Sequence, residues 1–284
     1  MTVRRTLPQR GRTFVGAWCF VDHYGPNDVT TQDGMSVAAH PHTGLQTVSW
    51  LFEGEIEHRD SAGNHAMVLP GEMNLMTAGR GISHSEYSTP DTRMLHGAQL
   101  WLALPDGARQ VAPAFEHYAP EAAQEQGWSL RVFLGEMLGQ SSPVTTHSAL
   151  FGAELRLDLP TTVVLPTDES YEYGVLVDAG DVTVNDVPAA RNSLAYVAPG
   201  EHRLKITSRG AARLLVLGGE PFGEEIVMWW NFIGRSHEEI IEFRQQWQVL
   251  LEKGTSERFA LPDADPRAPI PAPMLPNARL KSRA

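Results

Sequence analysis

His40-Pro41-His42-Thr43-Gly44-Leu45-Gln46-Thr47-Val48-Ser49-Trp50 and, further on, Gly79-Arg80-Gly81-Ile82-Ser83-His84-Ser85-Glu86 each carry two ligand-type side chains at i and i+2. In an extended strand such residues project from one face, about 6.5–7 Å apart. Metal–nitrogen and metal–oxygen bonds are about 2.0–2.2 Å long, so two donors at that spacing can lean toward a shared ion. Two such pairs on facing strands supply three imidazoles and one carboxylate: His40, His42, His84 and Glu86.

The sequence around these pairs reads as short strands broken by turns. Phe14 to Val21 is an apolar run, and His23 to Gly34, with Gly25-Pro26-Asn27-Asp28 near its start, reads as a loop. Thr47 to Phe52, Glu55 to Asp60, Ala66 to Leu69 and Met73 to Ala78 follow as strands, with Gly54, Ser61-Ala62-Gly63-Asn64 and Pro70-Gly71 between them. Leu95 to Leu104 is another strand. Residues 106–127, acidic and rich in Ala, Pro and Gln, read as a surface run, and Trp128 to Glu136 restarts a strand. This spacing predicts an all-β sandwich or barrel.

Gly139-Gln140-Ser141-Ser142-Pro143 marks the expected domain boundary, giving an N-terminal metal-binding domain over 1–138 and a second domain over 139–252. The second half repeats the strand rhythm: Ala153 to Leu159, Val163 to Pro166, Tyr173 to Asp186, Leu194 to Gly200, Arg203 to Thr207 and Arg213 to Leu217. It has only His147 and His202 near its strands and no His-x-His pair, so it reads as a second copy without the metal set. Trp229, Trp230 and Phe232 read as interface core. Ser236-His237-Glu238-Glu239 matches a capping box, with Ser236 as N-cap and Glu239 reaching back, and Ile240, Ile241, Phe243, Trp247 and Leu250 follow at helical spacing. Residues 253–284, with Pro262, Pro266, Pro269, Pro271, Pro273 and Pro276, predict an extended, partly disordered tail.

Composition narrows the function classes. The 284 residues carry a formal net charge of −11, which argues against a nucleic-acid surface, since phosphate binding needs clustered Lys and Arg. The single Cys19 excludes an internal disulfide framework and fits a reducing compartment. The arginines at 4, 5, 10 and 12 are not followed by a signal-peptide core, and no apolar run approaches the roughly 20 residues of a membrane span. A cytoplasmic protein is expected.

Six of the 11 histidines (His40, His42, His58, His65, His84 and His96) lie between positions 40 and 96, a concentration that favours a metal over scattered surface residues. Three imidazoles and a carboxylate suit Fe(II), Mn, Ni, Cu or Zn and are poor for Ca²⁺. A closed tetrahedral zinc site is the bland alternative, and it needs no cavity beside the ion. His58 and Asp60 share a strand face and serve either as outer hydrogen-bond partners of the ligands or as part of a polar outward face. Gly44, Gly79 and Gly81 serve backbone geometry. No phosphate loop, dinucleotide fingerprint or Ser or Cys nucleophile is present.

His40 to Val48, Glu57-His58-Arg59-Asp60-Ser61, Thr77-Ala78-Gly79-Arg80-Gly81-Ile82 and His84-Ser85-Glu86 together resemble the pirin family of the cupin superfamily. The resemblance implies a bicupin of two jelly-roll β-barrels with a short C-terminal helix. It implies one mononuclear metal, iron being usual, held in the first barrel by His40, His42, His84 and Glu86. Gln46 stands where many pirins have Glu, which removes a pocket charge or base while leaving the ligand set whole. Several bacterial pirins resemble quercetin 2,3-dioxygenases. That implies an aromatic small-molecule substrate of flavonol type, O₂ as co-substrate and Glu86 as the proton acceptor. Other pirins are iron-dependent regulators that bind a transcription factor or a metabolic enzyme. For this acidic chain that alternative implies a protein partner rather than DNA.

Overall fold

The computed structural model describes residues 1–31 and 34–284. The first ten strands are β1 (Val3–Leu7), β2 (Trp18–Asp28), β3 (Ser36–His42), β4 (Leu45–Glu53), β5 (Ile56–Asp60), β6 (His65–Val68), β7 (Met73–Thr77), β8 (Ile82–Ser88), β9 (Met94–Ala103) and β10 (Ala114–Tyr118). They build a six-stranded sheet, β1-β2-β9-β4-β7-β10, facing a four-stranded sheet, β3-β8-β5-β6.

Next come β11 (Ala123–Glu125), β12 (Trp128–Leu134) and a small hairpin of β13 (Glu136–Met137) and β14 (Gln140–Ser141). The second set comprises β15 (Leu150–Leu157), β16 (Thr161–Pro166), β17 (Glu172–Ala179), β18 (Val182–Val184), β19 (Val187–Ala189), β20 (Leu194–Val197), β21 (Arg203–Ser208) and β22 (Ala212–Gly219). Its sheets run β11-β12-β15-β22-β17-β20 and β16-β21-β18-β19. A last hairpin, β23 (Val227–Trp229) with β24 (Phe232–Gly234), leads to the helix α1 (His237–Lys253). The order β2-β9-β4-β7 over β3-β8-β5-β6 recurs as β15-β22-β17-β20 over β16-β21-β18-β19, so the chain is a bicupin made of one jelly-roll pattern used twice.

The two copies differ in what fills them. In the first, His40 lies across the ladder from His84. At the matching rungs of the second, Val163 faces Ile206 and Leu165 faces Leu204, all four buried in one aliphatic cluster. At the positions where the first interior carries its histidines, the second is therefore packed with apolar side chains.

The six-stranded sheets pack face to face. Trp18, Val21, Trp50 and Leu100 from the first meet Phe133, Leu176, Leu215 and Leu217 from the second. This is why β4 is buried along nearly its whole length: one face lines the barrel and the other meets the second domain. Trp50 Nε1 donates to Glu154 Oε2 at 2.7 Å, which satisfies the one polar atom that a buried Trp brings.

Three local expectations change here. The strand expected to stop near Val21 runs on to Asp28 as β2, because the Gly25-Pro26 step is absorbed as an irregularity between Tyr24 and Asn27. Gly25 has φ +83°, and a Cβ there would lie 2.2 Å from the Leu95 carbonyl oxygen, so only glycine lets the ladder continue. The rest of that expected loop includes Gln32 and Asp33, outside the described residues. Within 106–127, β10 and β11 form half-exposed edge strands instead of a free surface run, because backbone pairing to β7 and β12 compensates for weak apolar patterning. In the helix cap, the Ser236 side chain accepts from Glu239 N at 3.2 Å, but Glu239 reaches back to Arg235 N at 2.7 Å, one residue before the N-cap.

The proline-rich tail is extended but not loose. Phe259 and Ala272 are buried with Phe232, Phe243 and Trp247, and Trp247 Nε1 donates to Ile270 O at 2.9 Å. Ile270 N donates to Ala39 O on β3. The prolines exclude regular structure, while a few apolar anchors hold the segment down. Trp229, Trp230 and Phe232 belong to this same helix-and-tail cluster. Phe232 also bridges to Thr43, the residue after His42. Among the described residues no helix is long and apolar enough to cross a membrane.

Candidate metal centre

β3 and β8 are adjacent antiparallel strands, and β5 lies on the other side of β8. Ligand atoms of His40, His42 and His84 lie within 4.8 Å of one another, and all three residues are buried. Glu86 joins a second such group with His84 and His58, so the two sets share His84. All four expected donors line one cavity of about 240 Å³. Gly44, two residues after His42, has φ +68°; a Cβ there would lie 2.4 Å from Ile233 O, so the turn that aims β3 inward requires glycine.

The rings are prepared as neutral donors. Burial pushes His40 down to about 4 and holds His42 and His84 well below the ordinary imidazole range. His40 Nδ1 lies 2.9 Å from the Ala38 carbonyl oxygen, which can only accept; in the neutral ring that leaves the lone pair on Nε2. A chain of contacts runs outward from His84 as well. Its Nδ1 is 3.4 Å from His58 Nδ1, and His58 Nε2 is 3.3 Å from Asp60 Oδ2. Burial raises Asp60, but the hydrogen bonds from His58 and Asn64 outweigh it and hold the carboxylate below its usual range. Asp60 is therefore an acceptor for a proton on His58 Nε2, and the chain of contacts holds the His84 ring with its Nε2 toward His42.

His42 Nε2 and His84 Nε2 are 3.0 Å apart. Two donors about 2.1 Å from one ion and at a right angle also lie about 3.0 Å apart, so the pair fits adjacent positions on an octahedral ion. Glu86 is pushed upward by burial, as a carboxylate waiting for a cation is. The residues present thus fit a mononuclear transition-metal ion.

Gln46 lies elsewhere. Its Nε2 donates to Thr77 Oγ1 at 2.9 Å, and it is not among the cavity's lining residues. The cavity wall comes mainly from the extended part of β2 and from β9, through Phe20, Asp22, Tyr24, Gln99 and Trp101. Phe20 and Trp101 stack at 4.0 Å, and Trp101 meets His42 edge-on at 5.2 Å. The only sequence signal for this wall was the i, i+2 repeat of Phe20, Asp22 and Tyr24, hidden by the Gly-Pro step.

A second buried cluster joins the domains. His23 and His96, on the far faces of β2 and β9, point to Asp178 of β17. Arg213 Nη2 donates to His96 Nδ1 at 3.1 Å, so in neutral His96 the proton sits on Nε2, 2.6 Å from Asp178 Oδ1. His23 Nε2 is 2.7 Å from the same oxygen, and Arg213 Nε donates to Oδ2 at 2.6 Å. Each of these donors converges on one carboxylate, which makes the cluster a hydrogen-bonded ion-pair network between domains.

The neutral, buried rings give one consequence for stability. A histidine whose folded value lies below its unfolded value of 6.5 stabilises the fold fully above 6.5, and that stability is lost as pH falls toward the folded value. For His40 alone the loss from pH 6.5 to 5 is about 2 kcal/mol, and His42 and His84 add in the same direction. Metal-free protein should therefore lose thermal stability steeply between pH 7 and 5, as read by circular dichroism melts. A flat profile there would mean that the rings are not held neutral.

The architecture and this cluster define a bicupin with a group of ligand-type side chains in the first domain and an apolar core in the second. The chain belongs to the pirin family: residues 1–102 match the Pirin model and residues 152–250 match the Pirin C-terminal cupin domain. It is 44% identical to a Pseudomonas aeruginosa protein named putative quercetin 2,3-dioxygenase, over 97% of this chain and 86% of that one. It is 35% identical to a pirin-like protein of Caulobacter vibrioides, over 95% and 94% of the two chains. Its structure superposes on a quercetin 2,3-dioxygenase from Acinetobacter baumannii with a TM-score of 0.92 and 36% identity, covering 99% of this chain and 92% of that one.

Proposed function

We propose that this protein is a mononuclear iron dioxygenase that opens flavonol-type substrates with O₂, holding its ion through His40, His42, His84 and Glu86. The observation that carries this reading is the placing of the donors: buried and convergent, yet opening on a cavity lined by the stacked Phe20 and Trp101. A closed structural zinc site has no use for that space. The similarity to the Pseudomonas and Acinetobacter proteins supports the substrate class.

When bound, the ion supplies a point of attachment for substrate oxygen and a route for electron density to O₂. The rest belongs to the chain. Phe20 and Trp101 line the cavity with aromatic surface against which an apolar ring system can pack, excluding water. Glu86 is the proton acceptor for the flavonol 3-hydroxyl, since burial raises its basicity and Ser49 Oγ, 3.3 Å from Oε1, steadies it. The cavity, at about 240 Å³, lies below the roughly 300–1,000 Å³ of sites that enclose drug-sized ligands, so part of a flavonol must rest at the mouth.

Protein loaded with Fe(II) without oxygen and then given air should take up O₂ in step with bleaching of quercetin absorbance, and a chelator added beforehand should stop both. Bleaching that ignores the chelator would remove the enzyme reading. A smaller effect is expected at Asp60. Asp60→Asn removes the charge from the hydrogen bond that orients His58 beside His84, and iron affinity should fall about 10–100-fold in a competition titration while the fold is kept.

A further inference from the structure

A polar row crosses the cavity-facing side of the six-stranded sheet, and the metal-centred account uses only its inner end. Arg5 pairs across the ladder with Asp22, Asp22 with Gln99, and Gln99 with Ser49. Arg5 Nε and Nη2 donate to Asp22 Oδ1 and Oδ2, each at 2.9 Å, a bidentate pair that fixes the carboxylate and neutralises its charge. Ser49 Oγ lies 3.1 Å from the Gln99 amide and 3.3 Å from Glu86 Oε1. Ser49 has a single hydroxyl proton. It lies between Gln99 Oε1 and Glu86 Oε1, both acceptors, so the hydroxyl can serve only one of them at a time. The Gln99 carbonyl oxygen, 3.1 Å from Ser49 Oγ, keeps a second lone pair on a side chain that lines the cavity.

Asp22, beside Gln99 on the next strand, keeps a lone pair on each oxygen after Arg5 is served. The outer wall thus presents acceptors. Its position is given by exposure: the Arg5 and Asp22 side chains are 54% and 14% exposed, while His40, His42, His84 and Glu86 are at most 6% exposed. Donors for a metal form the floor, acceptors form the rim, and Phe20, Val37 and Trp101 lie along the same cavity.

We propose that Asp22, with Gln99 beside it, is the specificity-determining contact of this cavity, accepting hydroxyl protons from the outer ring of a planar polyphenol whose inner oxygens face the metal donors. This rests on the flavonol reading above and narrows it to ligands hydroxylated on the ring farthest from the ion.

The test is anaerobic binding, so that no turnover intervenes, using iron-loaded protein and three flavonols that carry no, one and two outer-ring hydroxyls: galangin, kaempferol and quercetin. Wild-type protein should bind quercetin about tenfold or more tighter than galangin, the scale of a hydrogen bond to a charged group. Asp22→Val should bring that ratio close to one and leave galangin affinity unchanged, with Asp22→Asn between. An unchanged ratio in Asp22→Val overturns the assignment and leaves the flavonol reading standing. Equal weakening of all three ligands also overturns it, since Asp22 would then only shape the wall. If wild-type protein binds none of the three, the proposed function falls and takes this inference with it.

Discussion

Replacing His42 by alanine should leave purified protein that no longer retains an ion and no longer bleaches a flavonol in air. His42 packs against both His40 and His84, with ring centroids 5.0 and 4.9 Å away, and its Nε2 is 3.0 Å from His84 Nε2. Loss of an outer hydrogen-bond partner weakens a metal site about 10–100-fold, so loss of a donor itself should weaken it by more than about 100-fold. Elemental analysis of H42A protein, together with oxygen uptake, reads the result directly. One equivalent of retained ion with full bleaching would place the centre outside this barrel.

The second large effect is expected far from that centre. Asp178→Ala strips the acceptor from His23, His96 and Arg213 in the dry seam between the domains. Breaking a buried charge network from one side costs about 3–5 kcal/mol, because the remaining donors lose their partner. The melting temperature should fall by roughly 6–20 °C. Burial raises Asp178, but the hydrogen bonds from His23 and His96 and the charge of Arg213 outweigh it, so its folded value lies below its unfolded value near 3.8. The stability it contributes is therefore present above about pH 4 and lost as pH falls further. Asp178→Asn should show the loss already at neutral pH and a flatter stability profile below pH 4. A variant that melts like wild type would show that the seam is held by its apolar contacts alone.

The donor pairs could be read from the sequence because a strand repeats every two residues: His40 with His42 and His84 with Glu86 must each share a face. The jelly-roll class was legible for a similar reason, in the spacing of turns between short apolar runs. The cavity wall was not, because the Gly25-Pro26 step looks like the end of a strand and is in fact an irregularity inside β2. The network at Asp178 was hidden more deeply. His23 and Asp178 are 155 positions apart, and nothing local to either predicts that two sheets will dock with those faces together. Composition misleads in the tail, where proline content predicts looseness while Phe259 and Ala272 carry the anchoring.

The tail has a practical corollary for anyone handling the protein. β3, the strand that bears His40 and His42, lies at an open margin of its sheet, and Ile270 N occupies the Ala39 carbonyl there. Ser83 Oγ donates to Ala260 O, and Tyr87 to Asp265, on the neighbouring strand β8. Clipping the chain after α1 would bare that margin to pairing with other molecules, and a shortened version would be expected to clump at concentrations the full chain tolerates.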